Sequence, residues 1–168
     1  MWKRKSLRIN SILTVCLITY NQNGFVTEAL DSIAAQKTTF DFDILIADDC
    51  STDGTKQQVL AFSKNRSNTS LILQESNVGP AKNFVELIST PKTKYISYLE
   101  GDDHWTDPYK LQKQVDYLEA NPNVSCCATD FDQINKNGVF IKNPETYPSV
   151  VKLGYKEVMK SKWCPTQA

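Results

Sequence analysis

Three carboxylates crowd one short stretch of the chain: Glu100, Asp102 and Asp103 in Tyr98-Leu99-Glu100-Gly101-Asp102-Asp103-His104-Trp105. Charges of one sign at that spacing oppose one another's ionisation, and a fold gains little from them unless something positive sits there. A hard divalent cation, Mg²⁺ or Mn²⁺, suits them. Such an ion takes oxygen ligands and is commonly shared between one or two carboxylates and the phosphates of a substrate. The competing reading of an isolated acidic triplet is a solvated turn after a strand. His104 could ligate a metal as neutral imidazole, but a loop-surface or stacking role suits it better, and Trp105 reads as a packing residue that fixes the loop.

The elements around the triplet decide between the two readings. Ser11 to Ile18 is almost wholly apolar and rich in β-branched residues, as a strand covered on both faces would be. It runs into Thr19-Tyr20-Asn21-Gln22-Asn23-Gly24, and a helix follows to about Gln36, with Phe25, Ala29, Leu30 and Ile33 at helical spacing. Phe42 to Ala47 is a second strand, ending in Asp48-Asp49-Cys50-Ser51-Thr52-Asp53-Gly54-Thr55. Asp53 is placed to cap the helix carrying Val59, Leu60 and Phe62. Ser70 to Leu73 is a third strand, and Glu75 to Gly79 is its loop. Pro80 opens a helix that stops before Pro91. Tyr95 to Leu99 is the fourth strand, and its end is the acidic triplet. Thr106-Asp107-Pro108 starts a helix with Leu111, Val115 and Leu118 inside, ended by Asn121-Pro122. Val124 to Thr129 reads as a fifth strand, Asn135 to Gly138 as a hairpin turn with Val139-Phe140-Ile141 returning, and Leu153 to about Lys162 as a short helix.

This alternation of strand and helix predicts an α/β fold: an open, mostly parallel sheet with right-handed crossovers. In such sheets ligands sit outside the carboxyl ends of the strands. Thr19-Tyr20-Asn21, Asp48-Asp49, Glu75-Asn77 and Glu100-Asp102-Asp103 all lie at those ends, so parallel strands would gather four polar loops, two of them acidic, on one edge. That favours a functional site over a solvated turn.

Bulk properties narrow the class. The 168 residues suit one domain, 1–168, with residues 1–10 as an extension. Nineteen basic residues balance nineteen acidic ones, and nothing in that balance points to nucleic acid or an anionic membrane. The five cysteines form no CxxC pair, which disfavours a zinc ribbon and fits reduced thiols in a cytosolic protein, with Cys16 and Cys126 or Cys127 filling core space. Trp2-Lys3-Arg4-Lys5 before Ile12 to Ile18 imitates a signal peptide, but no small-residue cleavage site follows, and no apolar run is long enough for a transmembrane segment.

Four segments in order resemble glycosyltransferase family 2: Leu17 to Gln22, Ile46 to Thr55, Asn77-Val78-Gly79 through Asn83, and Tyr98 to Asp103. The resemblance covers about residues 10 to 130 and implies the nucleotide-sugar-binding half of a Rossmann-like GT-A fold, with helices on both faces of the sheet. It implies an inverting transferase using a nucleotide-diphosphate sugar, a UDP-sugar first among the candidates, with Mg²⁺ or Mn²⁺. By position, Thr19, Tyr20 and Asn21 would border the nucleobase, and Asp49 would bind the base or its ribose. Asn83 or Lys82 would lie near the donor phosphates. Glu100 and Asp102 would occupy the DxD-type metal motif with Asp103 beside them. Glu100 stands where Asp is usual, so it serves as a metal ligand or as a ribose contact, and Asp102 is the principal ligand.

Inversion needs a general base, which this family places in its acceptor-binding half. After Asp132 only Glu145 and Glu157 remain as carboxylates, and neither resembles that motif. Residues 131–168 are therefore expected to begin an incomplete acceptor-side region, and the chain to bind donor without completing transfer. The resemblance further implies a glycan or lipid-linked acceptor, polysaccharide biosynthesis, and a cytoplasmic protein working near the membrane.

Three alternatives differ in class. A nucleotidyltransferase would open with a Gly-rich, Arg-containing loop, whereas the first loop here has only Gly24 and no Arg. A phosphoacceptor signalling domain would want an aspartate after the third strand and a lysine after the fifth, where Glu75 and Asp130 stand. A non-catalytic nucleotide-binding fragment is compatible with the absent acceptor half.

Overall fold

The computed structural model describes residues 11–135 and 138–141, and the chain divides into two compact units, residues 1–120 and 121–168. In the first unit β1 (Leu13–Thr19), α1 (Val26–Ala34), β2 (Phe42–Asp48), α2 (Thr55–Lys64), β3 (Thr69–Leu73), α3 (Pro80–Ser89), β4 (Tyr95–Glu100) and α4 (Lys110–Ala120) follow in strict alternation. The strands form one parallel sheet in the order β3-β2-β1-β4.

That order determines where the helices lie. From β1 the chain steps outward through β2 to β3, then returns past β1 to β4. Right-handed crossovers that reverse direction along a sheet must cross its opposite face. Accordingly, Leu13, Val15 and Leu17 of β1 pack with Ile44, Ile46 and Leu99 under residues of α1, α2 and α4: Val26, Ala29, Leu30 and Ile33, then Val59, then Leu111. On the other face Cys16, Leu45, Ala47 and Ile72 pack against Leu87 of α3. The register carries this division across the sheet, because Leu17 lies beside both Ile46 and Leu99, and Cys16 beside Leu45 and Tyr98. Both faces of β1 are therefore apolar, which is why its sequence is a continuous hydrophobic run without alternation. Cys16 is fully buried, and burial pushes its thiol up to about 12. It is a core residue, as expected, and Trp105 packs against the larger cluster.

Several local expectations need correction. The cap of α2 is Gly54, at φ 105, and Asp53 sits one residue ahead of it. That positive φ favours glycine, and a β-carbon there would also crowd the Asn23 side chain, 2.8 Å from its Oδ1. Helix α4 starts at Lys110; Asp107 instead closes a preceding turn, accepting the Tyr109 N–H at 2.9 Å.

In the second unit residues 124–130 form no strand, and Cys126 is exposed and Cys127 only half-buried, so neither is a core cysteine. Strand propensity depends on a neighbour to pair with and a face to bury. The expected hairpin is present: β5 (Gln133–Ile134) pairs antiparallel with β6 (Phe140–Ile141). The expected helix at 153–162, Glu145 and Glu157 lie outside the described residues.

Candidate functional site

All four polar loops lie beyond the carboxyl ends of parallel strands, as the alternation requires. The chain's reversal puts the topological switch point between β1 and β4, where Thr19 and Glu100-Gly101-Asp102-Asp103 meet. A sizeable surface cleft lined by Lys37, Phe40, Asp41 and Asn68 lies elsewhere, around the start of β2 at Phe42. The carboxylates of interest are not in it.

Residue by residue, the site is built as follows. Thr19 is buried, and its hydroxyl donates to Gln22 Oε1 at 2.8 Å. Tyr20 is 45% exposed, so its ring is available as a stacking face. Asn21 holds a positive φ of 51° and ties the first loop to the second: its N–H donates to Ser51 Oγ and its Oδ1 accepts the Thr52 N–H, both at 2.9 Å. Further ties run in parallel. Gln22 N–H donates to Thr55 Oγ1 at 2.8 Å, and the Asp53 carboxylate accepts from Asn23 N–H, Thr55 N–H and Thr55 Oγ1–H.

Asp49 is buried and serves a second purpose. One of its oxygens accepts the Val78 N–H at 2.7 Å and the other the Gly79 N–H at 2.9 Å. It thereby holds the loop that leads into α3 from about thirty positions away. Asp48 is fully buried. Its Oδ2 accepts the Ser51 N–H at 3.1 Å, and its Oδ1 has no protein hydrogen-bond donor. Asn83 does not lie on the surface of the site. It is fully buried, its amide donating to the Ala47 carbonyl and accepting from Gln74 Nε2 at 3.2 Å. It braces β2 against α3 from behind. Its spacing of four from Leu87 already places it on the inner face of the helix.

The acidic loop carries the electrostatic signature. Glu100 is half-buried and accepts the Tyr98 hydroxyl at 3.1 Å. Burial raises its carboxyl above the ordinary value, the Tyr98 hydrogen bond opposes that rise, and the Asp102 charge adds to it. Asp103 is pushed up to about 6, first by burial and then by the charges of Asp102 and Glu100. Tyr98 is driven well above the usual phenol value by burial and by Glu100. Asp102 itself is exposed. Glu100 and Asp103, both raised in part by the Asp102 charge, offer with Asp102 a set of oxygen donors that fits a hard divalent cation. Among the described residues no three His, Cys, Asp or Glu side chains converge as a ready-made cage. His104 Nδ1 lies 3.9 Å from Glu28, beyond hydrogen-bond distance, on the exposed side of the loop.

Sequence reasoning missed three contributors: Gln22, Thr55 and Gly101. Gly101 is buried with its N–H on the Ile18 carbonyl at 2.9 Å, and a β-carbon there would meet Gln22 Oε1 at 2.5 Å and Thr19 Oγ1 at 2.8 Å. The glycine between the carboxylates was the visible signal of such a close approach.

A doubly wound parallel sheet with a polar, acidic carboxyl edge defines the class of open α/β proteins that place their ligands at that edge. Comparison narrows it: the sequence profile of Glycosyl transferase family 2 matches residues 14–164, and the chain belongs to that family. It is 40% identical over 116 residues to Rv1520 of Mycobacterium tuberculosis (strain ATCC 25618 / H37Rv), covering 68% of this chain and 34% of that protein. S. aureus TarS 1–349, solved in complex with UDP, superposes with a TM-score of 0.58 at 27% identity, over 66% of this chain and 32% of TarS. A mannosyltransferase from Pyrobaculum calidifontis, solved with GDP-Man and Mn²⁺, shares the fold at a TM-score of 0.60 and 23% identity, over 68% of this chain and 34% of its own. The chain thus spans about a third of the length of these relatives. Among the described residues no helix is long and apolar enough to cross a membrane.

Proposed function

We propose that this chain is the donor-binding part of an inverting glycosyltransferase that takes a nucleotide-diphosphate sugar, a UDP-sugar before others, together with Mg²⁺ or Mn²⁺. The observation that carries the reading is the acidic loop at the switch point, where Glu100, Asp102 and Asp103 oppose one another's charge. Family membership, and the UDP held by TarS, support a nucleotide donor over a bare metal site.

The residues divide the task. Tyr20 offers its exposed ring to the base, with Thr19 and Asn21 shaping the loop beneath it. Asp49 sits behind the base, and beyond its bonds to Val78 and Gly79 each of its oxygens keeps a second lone pair for a base N–H or a ribose hydroxyl. Asn83 acts indirectly, by fixing α3 against β2. Asp102, the exposed member, is the principal metal ligand. Asp103 and Glu100 stand beside it as further ligands, and Glu100, oriented by Tyr98, is equally able to hold a ribose hydroxyl. A divalent cation held there supplies charge stabilisation for a departing diphosphate. The general base is assigned to no described residue. Residues 131–168 are read as the start of an acceptor-side region, with a glycan or lipid-linked acceptor, polysaccharide biosynthesis and a cytoplasmic, membrane-proximal setting as the expected context.

Isothermal titration of the 168-residue chain with UDP, with and without Mn²⁺, tests this. Metal-strengthened UDP binding is expected. A chain that binds neither nucleotide nor metal would falsify the donor-site reading.

A further inference from the structure

We infer that Gln22 is a positioning residue whose side chain, together with Thr19, forms the seat on which Gly101 holds the acidic loop, so that the base-side loop and the carboxylates 100–103 are positioned as one unit. This rests on the donor-site reading above.

Four elements meet at this glutamine. Its side-chain oxygen accepts the Thr19 hydroxyl at 2.8 Å, at the end of β1. Its N–H donates to Thr55 Oγ1 at the start of α2. Its carbonyl accepts from Phe25 N–H and Val26 N–H, both at 2.9 Å, where α1 begins. Gly101 then lies against its side-chain oxygen so closely that a β-carbon would come within 2.5 Å, and within 2.8 and 2.9 Å of the Thr19 hydroxyl and β-carbon. The β1–β4 pairing runs to Ile18 opposite Glu100, and the Gly101 N–H donates to the Ile18 carbonyl at 2.9 Å, so main-chain bonds set the height of the loop along β1. The Thr19 and Gln22 side chains meet the loop one residue further on, at Gly101.

The two kinds of contact separate in a test. Truncating the Gln22 side chain leaves its main-chain bonds to Thr55, Phe25 and Val26, so the first loop keeps its anchorage. It removes the support under Gly101, one residue from both Glu100 and Asp102. The effect should therefore fall on the metal and diphosphate end of the ligand and spare the base end.

Gln22→Ala, Gly101→Ala and the double variant are titrated with uridine in EDTA and with UDP in Mn²⁺, and their melting temperatures are recorded. Displacing a site by a fraction of an ångström is expected to weaken Mn²⁺-dependent UDP binding about tenfold in Gln22→Ala, with uridine binding changed less than about twofold. Gly101→Ala should lose more. In the double variant the losses should fall short of their product, because the nearest atom facing the new methyl group is gone. Equal losses for uridine and UDP, unchanged UDP binding in Gln22→Ala, or strictly multiplicative losses overturn the inference. A wild-type chain that binds neither probe overturns the donor-site reading and this inference with it, a result distinct from any pattern among the variants.

Discussion

Asp103 and Asp49 are both acidic and close to the same site, yet their surroundings give them opposite tasks. Asp49 is buried and accepts two main-chain N–H donors, so it has a structural part in holding the Val78–Gly79 loop beside the ligand contact proposed for it. Asp49→Ala is expected to weaken uridine and UDP to the same degree, since the Val78–Gly79 loop loses its anchor. A loss confined to the diphosphate would place Asp49 at the wrong end of the ligand. Among the described residues no such donor reaches Asp103, and its carboxyl rises from the ordinary 3.8 to about 6. The folded state therefore holds its proton more tightly than the unfolded chain does. Stability from this group is fully present below about pH 4 and is lost as pH rises through about 6. Asp103→Asn should raise the stability of the metal-free chain at pH 7.5 by about 1 kcal/mol, after allowance for a half-exposed setting, with the gain disappearing near pH 4. Urea melts in EDTA at the two pH values measure it. A gain that is larger at pH 4 would contradict the assigned direction.

At the scale of elements, the four strand–helix repeats were legible because their signals are local. Continuous apolar strands, helical spacing of Ala29, Leu30 and Ile33, and Pro80 at a helix start need no knowledge of distant residues. The gathering of polar loops at one edge followed from parallel pairing alone. What could not be read were the ties between loops. Asp49 to Val78 and Asn21 to Thr52 each join residues about thirty positions apart, and no periodicity records them. Residues 124–130 failed for the converse reason: a short apolar run states a preference that only a pairing partner realises. The burial of Asn83 was not legible, because a polar side chain on a helix looks like a ligand contact until its buried partners are seen. The tie between the first two loops can be tested. Asp53→Ala removes an acceptor shared by Asn23 and Thr55 and should cost about 1 kcal/mol of stability. It should also weaken uridine binding, by freeing the loop that carries Tyr20. Unchanged uridine affinity in a folded variant would show that the tie does not position the base.

For the first unit as a whole, the sheet order explains why function falls where it does. The helices cover both faces, so the sheet offers ligands only its edges and ends. The reversal between β3 and β4 then singles out the end of β1 beside the end of β4. There the fold sets an exposed aromatic ring, an anchored carboxylate and an unneutralised acidic loop within one site. Whatever binds N but not U also stabilises the fold. Mn²⁺ with UDP should therefore raise the melting temperature together, by more than either does alone. The most direct test of the central claim is the Mn²⁺-dependent increment in UDP affinity, measured calorimetrically on wild type and on Asp102→Ala. A clear increment is expected in wild type and its loss in Asp102→Ala, with metal-free uridine binding the same in both. An increment of equal size in the two proteins would contradict it.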